Sequence, residues 1–231
     1  MAKQNIANEI KDQLASLGRG SRQGHRPSAQ KDFGVYTQDL RLVVKDFKQR
    51  LKGETDEFVL QIASDLIDQN ITESRQVAYE LIAADKEARE ALNDQIVSSL
   101  ARRLDNWACV DLFCSAVAGA AWREGRVSDS LIVSWANSED LWLRRASVVC
   151  TVALNTKSRG GKGDAKRTLE RCEFLLDDSE VMVQKAISWA LRELVPWDRS
   201  AVVGFLAQHQ DRVSARVKRE VIKKLETGKK N

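Results

Sequence analysis

Ser138-Glu-Asp-Leu-Trp-Leu-Arg-Arg-Ala146 and Ser179-Glu-Val-Met-Val-Gln-Lys-Ala186 are the stretches on which the fold turns. Each runs from a serine through an acidic first turn to a basic residue and an alanine, and Ala146 and Ala186 stand 40 residues apart. Serine before such a turn marks a helix start. Its hydroxyl accepts an orphan amide, and the acid meets the positive end of the helix dipole. Glu73-Ser-Arg-Gln-Val-Ala78 is a weaker copy of the pattern.

A period near 40 with two helices per unit is the mark of HEAT-like repeats, which stack into a curved solenoid with a concave binding face. The rest of the chain agrees with helices. It holds only two prolines, Pro27 and Pro196, so it has little of the punctuation an all-β fold needs. Apolar periodicity predicts helices over Lys3–Leu17, Ala29–Phe33, Thr37–Lys52 (with Thr37 as N-cap), Thr55–Gln69, Thr72–Ala84, Lys86–Leu104 and Asn106–Trp122. Further helices are predicted over Ser128–Asn137, Ser138–Asn155, Asp164–Leu176, Ser179–Leu194, Arg199–Gln210 and Ser214–Leu225. The expected fold is therefore all-α, one HEAT-like repeat domain spanning 1–231. Residues 18–28 are expected to form a flexible basic loop and 226–231 a disordered basic tail.

The net charge of +4 is modest, but its distribution is uneven. Arg19, Arg22, Arg26 and Lys31 cluster early. Lys157, Arg159, Lys162, Lys166 and Arg167 cluster again, and Arg212, Arg216, Lys218, Arg219, Lys223, Lys224, Lys229 and Lys230 load the last stretch. The segment from Glu54 to Glu90 is acidic by comparison. Such asymmetry points to a polyanion partner, with solvated helix faces as the competing account. Cys109, Cys114, Cys150 and Cys172 form no CxxC pair and mostly sit in apolar runs, as small buried residues of a reducing compartment do. His25 and His209 are too few and too isolated for a metal site, so no metal is expected. No apolar run reaches membrane-spanning length, and the N-terminus lacks the apolar core of a signal peptide. A cytoplasmic protein without membrane contact is expected. Lys157-Ser-Arg-Gly-Gly-Lys-Gly163 resembles a phosphate loop only loosely. It lacks the GxxxxGK[ST] spacing and follows a helical pattern, so no nucleotide cofactor is expected.

Between Asn106 and Ala121, Asp111 stands alone as a formal charge, in a chain that is 30% charged. Val110, Phe113, Val117 and Ala121 form the apolar stripe of a helix buried over most of its surface. Trp107 lies four residues before Asp111 and Cys114 three after it, so the three share one face. A carboxylate there must be paired or its pKa must rise. It either bonds a structural partner or has a chemical task. On the Ser179–Leu194 helix, Trp189 lies off the apolar stripe, with Lys185, Ser188 and Arg192 around it. Trp189 is either an inter-repeat packing residue or an aromatic plate beside cations, as on nucleic-acid surfaces. Arg144 and Arg145 lie off the centre of the stripe formed by Trp142, Ala146, Val149, Cys150 and Ala153. As exposed arginines they are solvated surface residues, or contacts in a concave groove where Arg145 and Lys185 hold equivalent places.

Asn106-Trp-Ala-Cys-Val-Asp111, Leu141-Trp-Leu-Arg-Arg-Ala146 and Val183-Gln-Lys-Ala-Ile-Ser-Trp-Ala-Leu-Arg-Glu193 resemble the signature segments of the AlkD-like DNA alkylation repair glycosylases. Phe33-Gly-Val and Lys218-Arg-Glu extend the likeness more loosely. Asn106 departs from it, since close relatives often carry a second tryptophan there. The resemblance implies a solenoid with a concave, basic DNA-binding groove that excises cationic 3-alkyladenine and 7-alkylguanine by hydrolysing the N-glycosidic bond, without flipping the base into a pocket. It implies Asp111 as catalytic carboxylate, Trp107 and Trp189 as active-site aromatics and Arg145 as a backbone contact. Arg144, Lys185, Arg192, Lys157, Arg159, Lys162, Arg216 and Arg219 are the further DNA-binding candidates. The expected partner is double-stranded DNA carrying alkylated bases, bound by a monomer without metal or organic cofactor and associated with the nucleoid when bound. The family also includes members that keep the solenoid without the chemistry. A silent DNA-binding relative and a protein-interaction scaffold are therefore the alternatives.

Overall fold

The helices follow from their caps and apolar periods, and most starts fall within a few residues of the expected positions. In a computed structural model, residues 2–21 and 28–229 are described, with side chains from residue 5 onward. Arg22, Arg26 and Lys230 of the basic clusters lie outside the described residues. Contacts divide the chain into two compact units, Met1–Val117 and Ala118–Asn231.

The first unit comprises α1 (Ala2–Leu17), α2 (Thr37–Arg50), α3 (Asp56–Asp68), α4 (Thr72–Ala84), α5 (Lys86–Glu90), α6 (Asp94–Leu100) and α7 (Trp107–Phe113). Helix α3 packs on α1 and α4, and α4 also receives α2 and α7. Ile10, Leu14, Val43, Phe47, Ile62, Leu66 and Ile82 are fully buried between them. Each such side chain removed from water contributes about 1.5–3 kcal/mol. Arg75 sits wholly inside this unit. Its Nη1 donates to the Tyr79 hydroxyl (3.1 Å) and to the Arg102 carbonyl (2.8 Å), and Tyr79 donates to the Leu100 carbonyl (2.9 Å). Burial pushes the Tyr79 phenol well above its ordinary pKa.

Four local expectations are corrected here. The 29–33 segment is not helical. Lys31 bridges Ile71 in parallel, with Lys31 N–H on the Asn70 carbonyl (3.0 Å) and Thr72 N–H on the Lys31 carbonyl (2.9 Å). The helix predicted over Lys86–Leu104 is two short ones, because the Asn93 side chain accepts the Ile96 amide (3.0 Å) and starts α6 anew. Thr37 is the first residue of α2 and not its cap. The cap position falls to Tyr36, which makes no capping side-chain bond. Finally, the helix expected over Asn106–Trp122 is interrupted by a π turn, Cys114–Ala118.

The second unit comprises α8 (Gly119–Arg123), α9 (Asp129–Ala136), α10 (Leu141–Asn155), α11 (Ala165–Phe174), α12 (Val181–Leu194), α13 (Arg199–Gln208) and α14 (Ala215–Thr227). Helices α10, α12 and α14 pack in succession, while α9 adjoins α10, α11 adjoins both α10 and α12, and α13 adjoins α12. These helix pairs agree with a helical repeat. Helix α10 is the centre of this unit, buried on every face from Arg145 to Asn155 by α8, α9, α11 and α12. Its polar side chains are satisfied internally. Ser147 and Thr151 donate to the Arg144 and Val148 carbonyls (both 2.7 Å), and Asn155 donates to Thr151 O and Thr168 Oγ1 (3.0 and 2.9 Å). The serine caps expected at 138 and 179 are also corrected. Asp140 caps α10 by accepting the Trp142 amide (2.8 Å), and Glu180 stands at the head of α12 without a side-chain bond.

No helix among the described residues is long and apolar enough to cross a membrane. No group of three or more His, Cys, Asp or Glu among them could hold a metal ion.

Candidate functional site

Helix α7 is set in place from both ends. At its start, the buried Asn106 accepts the Cys109 amide (3.0 Å) and donates to Asp105 (3.2 Å). Asp105 in turn accepts the Ser28 hydroxyl (2.6 Å), the Ala29 amide (2.7 Å) and the Gln30 side-chain amide (2.7 Å). The segment entering the first unit is thereby fastened to the start of the helix. At the far end, Phe113 meets Tyr79 of α4 with ring centroids 4.9 Å apart.

Between these anchors, Trp107 is 37% exposed, whereas Cys109, Val110 and Phe113 are fully buried. Asp111, one turn further on, is half-buried. Cys114, three residues beyond Asp111, differs from both Trp107 and Asp111 in exposure. Cys114 opens the π turn and is wholly buried. Cys109 is equally enclosed, and burial pushes its thiol up to about 12, so it is inert as a nucleophile at neutral pH.

A second carboxylate anchor holds the segment before α2. Glu73 is buried and accepts the amides of Phe33 (3.1 Å), Gly34 (2.9 Å) and Val35 (3.2 Å). Asp32 also takes the Gly34 amide, at 2.7 Å. Burial, then the adjoining Asp32 carboxyl, raise the Glu73 pKa, against the opposing effect of the backbone donors.

The remaining sequence-predicted residues belong to the second unit, and the structure sorts them. Arg145 is only 4% exposed, and its Nη1 donates to the Met182 carbonyl of α12. The expectation of an exposed arginine is corrected, because α10 is enclosed on all sides. Arg144 is half-buried and bonds Asp178 (2.7 Å) and the Ser138 and Glu139 carbonyls (3.0 and 2.7 Å). Both arginines join α10 to the α12 region. Trp189 is half-buried, and its indole N–H donates to Glu193 one turn on (3.1 Å).

Helix α14 brings Glu220 beside α12. Glu220 accepts the buried Ser188 hydroxyl (2.6 Å) and Arg216 (3.2 Å), and stands 3.8 Å from Arg192. Burial alone pushes the Glu220 carboxyl up, but these donors outweigh it and hold it below the usual carboxylate range. Trp189, Arg192 and Arg216 are thus gathered around α12 and α14, with Lys185 and Arg219 exposed on the same two helices. Lys157, Arg159 and Lys162 are exposed on the loop after α10.

Sequence reading missed the three carboxylates that organise these groups: Asp105, Glu193 and Glu220. Asp105 had a local signal, since it directly precedes the helix cap. Glu220 had none, because Ser188 meets it across 32 residues of chain.

Exposed aromatic and half-buried acid on one helix, and aromatic beside arginines on another, make surfaces suited to a cationic ring and to phosphates. Over residues 4–225 the chain matches the family described as DNA alkylation repair enzyme. No match is found among curated proteins.

Proposed function

The chain belongs to the DNA alkylation repair enzyme family, and from that membership we propose that it is a DNA glycosylase acting on cationic alkylated purines in duplex DNA. The observation that carries this reading is the pair on α7: a half-buried Asp111 one helical turn beyond a solvent-exposed Trp107. In this reading the fold is a HEAT-like helical repeat with a basic groove.

The chemistry asks little of the protein beyond electrostatics. Alkylation at N3 of adenine or N7 of guanine leaves a positive charge on the base. When the N-glycosidic bond breaks, its electron pair neutralises that charge and a neutral base departs, so no strong general acid is needed. Positive charge then develops on the sugar as an oxocarbenium ion. Asp111 faces that charge as a carboxylate and orients the water that adds to the anomeric carbon, taking up its proton. A carboxylate held partly out of water acts more strongly than one in bulk solvent. Trp107 and Trp189 offer π faces to the cationic nucleotide, worth about 1–2 kcal/mol each when desolvated. Lys185, Arg192, Arg216, Arg219, Lys157, Arg159 and Lys162 hold the phosphates, Arg216 and Arg192 being oriented by Glu220. Arg144 and Arg145 act through the backbone of the α10–α12 junction, or reach DNA at its edge.

The test is release of 7-methylguanine and 3-methyladenine from methylated duplex DNA by the purified protein and by Asp111→Asn. The amide keeps the size and removes the charge, so base release should fall about 10²–10³-fold, as for loss of one aligned electrostatic partner, with the melting temperature preserved. Wild-type rates in the Asn variant would remove Asp111 from the mechanism. No release by the wild-type protein, with duplex binding intact, would leave a silent DNA-binding relative.

A further inference from the structure

A cavity of about 420 Å³ opens in the second unit where the C-terminus of α10, the loop 156–163 and the first turn of α11 meet. Arg123, Lys162 and Arg167 line it, with Glu124 and Asp164 between them. The loop's own amides are spent inside the fold. Gly161 donates to Thr156 O (3.0 Å), Lys162 and Gly163 both donate to Leu154 O (3.0 and 3.1 Å), and Asp164 donates to the Asn155 side chain (3.0 Å). A glycine-rich backbone cradle is therefore absent, and any ligand bound here is held by side chains.

Those side chains are pre-set. Arg123 donates to the Ala153 carbonyl (2.9 Å) and to Glu124 (3.0 Å). Arg167 donates to Asp164 (2.6 Å), and its guanidinium carbon lies 4.6 Å from the centre of the buried Trp122 ring. Each guanidinium has donors left over after these bonds, in a planar fork that matches a phosphate. Lys162 is exposed and extends from the rim. Three lining cations (Arg123, Lys162, Arg167) face two lining carboxylates (Glu124, Asp164), an excess of one positive charge, and Arg126 outside the lining also binds Glu124.

We propose that this cavity is a phosphate site that takes one phosphodiester of the DNA backbone, held by Arg123 and Arg167 and closed over by Lys162. The inference rests on the reading of the protein as a DNA-binding enzyme and adds Arg123 and Arg167 to its contacts. Fixed arginines supply the geometry, and the long, exposed lysine supplies a point charge.

The experiment is anisotropy of a fluorescein-labelled, undamaged duplex titrated with protein across a sodium chloride series, for wild type, Lys162→Gln and Arg123→Gln. Lys162→Gln should bind several-fold more weakly and lower the log–log salt slope by about 0.9, the loss of one phosphate contact. Arg123→Gln should do the same, with its melting temperature read alongside because its bond to the Ala153 carbonyl also supports the fold. Unchanged affinity and slope in Lys162→Gln at native melting temperature overturns the proposal. A second arm adds inorganic phosphate and follows the melting temperature. Stabilisation that needs Lys162, with a duplex slope that does not move, keeps the phosphate chemistry but overturns DNA as its source. Undamaged duplex is the probe, so a failure to release bases, which would sink the glycosylase reading, leaves this result independent.

Discussion

Trp107 leaves 37% of its surface in solvent while its helix neighbours Cys109 and Val110 are fully enclosed. Its truncation to alanine should therefore cost less than the ~3–5 kcal/mol of a core tryptophan. Single-turnover excision of 7-methylguanine should slow instead, since the cationic base loses a π face. A large fall in melting temperature with unchanged excision per folded molecule would make Trp107 a packing residue. Glu73 supports a pH prediction whose sign comes from its raised pKa. The folded state binds that proton more tightly than the unfolded chain. The associated stability is present below the ordinary glutamate pKa of about 4.3 and is lost as pH rises through the folded value. Glu73→Gln removes this component, so the melting temperature of the variant relative to wild type should rise from pH 4 to pH 7. A relative fall would mean that the amide bonds from Phe33, Gly34 and Val35 to the ionised carboxylate outweigh its burial.

At the scale of the element, α10 shows how a helix changes the meaning of a residue. Arg145 would be a surface cation on a helix with one solvated side, but α8, α9, α11 and α12 surround this one. Its bond to the Met182 carbonyl makes it a tie between α10 and α12. Arg145→Ala should lower stability by about 1–3 kcal/mol, the cost of stranding buried polar groups. That corresponds to a melting shift of roughly 2–10 °C in a chain of this size. Native melting with weakened duplex binding would return Arg145 to the role of a simple DNA contact. The segment before α2 has its own constraint. Gly34 has φ +72°, and an added Cβ would stand 1.9 Å from the Gly20 carbonyl oxygen. Gly34→Ala should therefore destabilise the first unit by more than the ~1 kcal/mol of left-handed strain alone, read by urea denaturation.

At the scale of the molecule, the exposed cations of the loop after α10 and of α12 and α14 predict strong salt dependence and weak sequence dependence in duplex binding. Each phosphate neutralised contributes about −0.9 to the log–log slope. A slope near zero would instead favour the protein-scaffold alternative. The all-helical class was determined by the sequence itself, because the 3.6-residue apolar period and most of the caps are local. The spacing of Trp107 and Asp111 was legible for the same reason. A helix places residues four apart on one face whatever surrounds it. The three signature segments carried the family likeness, since a motif is read without its partners. Only the tertiary structure decided what depends on contacts distant in sequence. It enclosed Arg145 between helices. It bridged Lys31 to Ile71 where a helix was expected, and it set Arg192 and Arg216 beside Glu220. Periodicity records which face of a helix is apolar. Whether the opposite face meets water or another helix is settled by packing, and that is why the candidate cations could be counted from the sequence but not sorted.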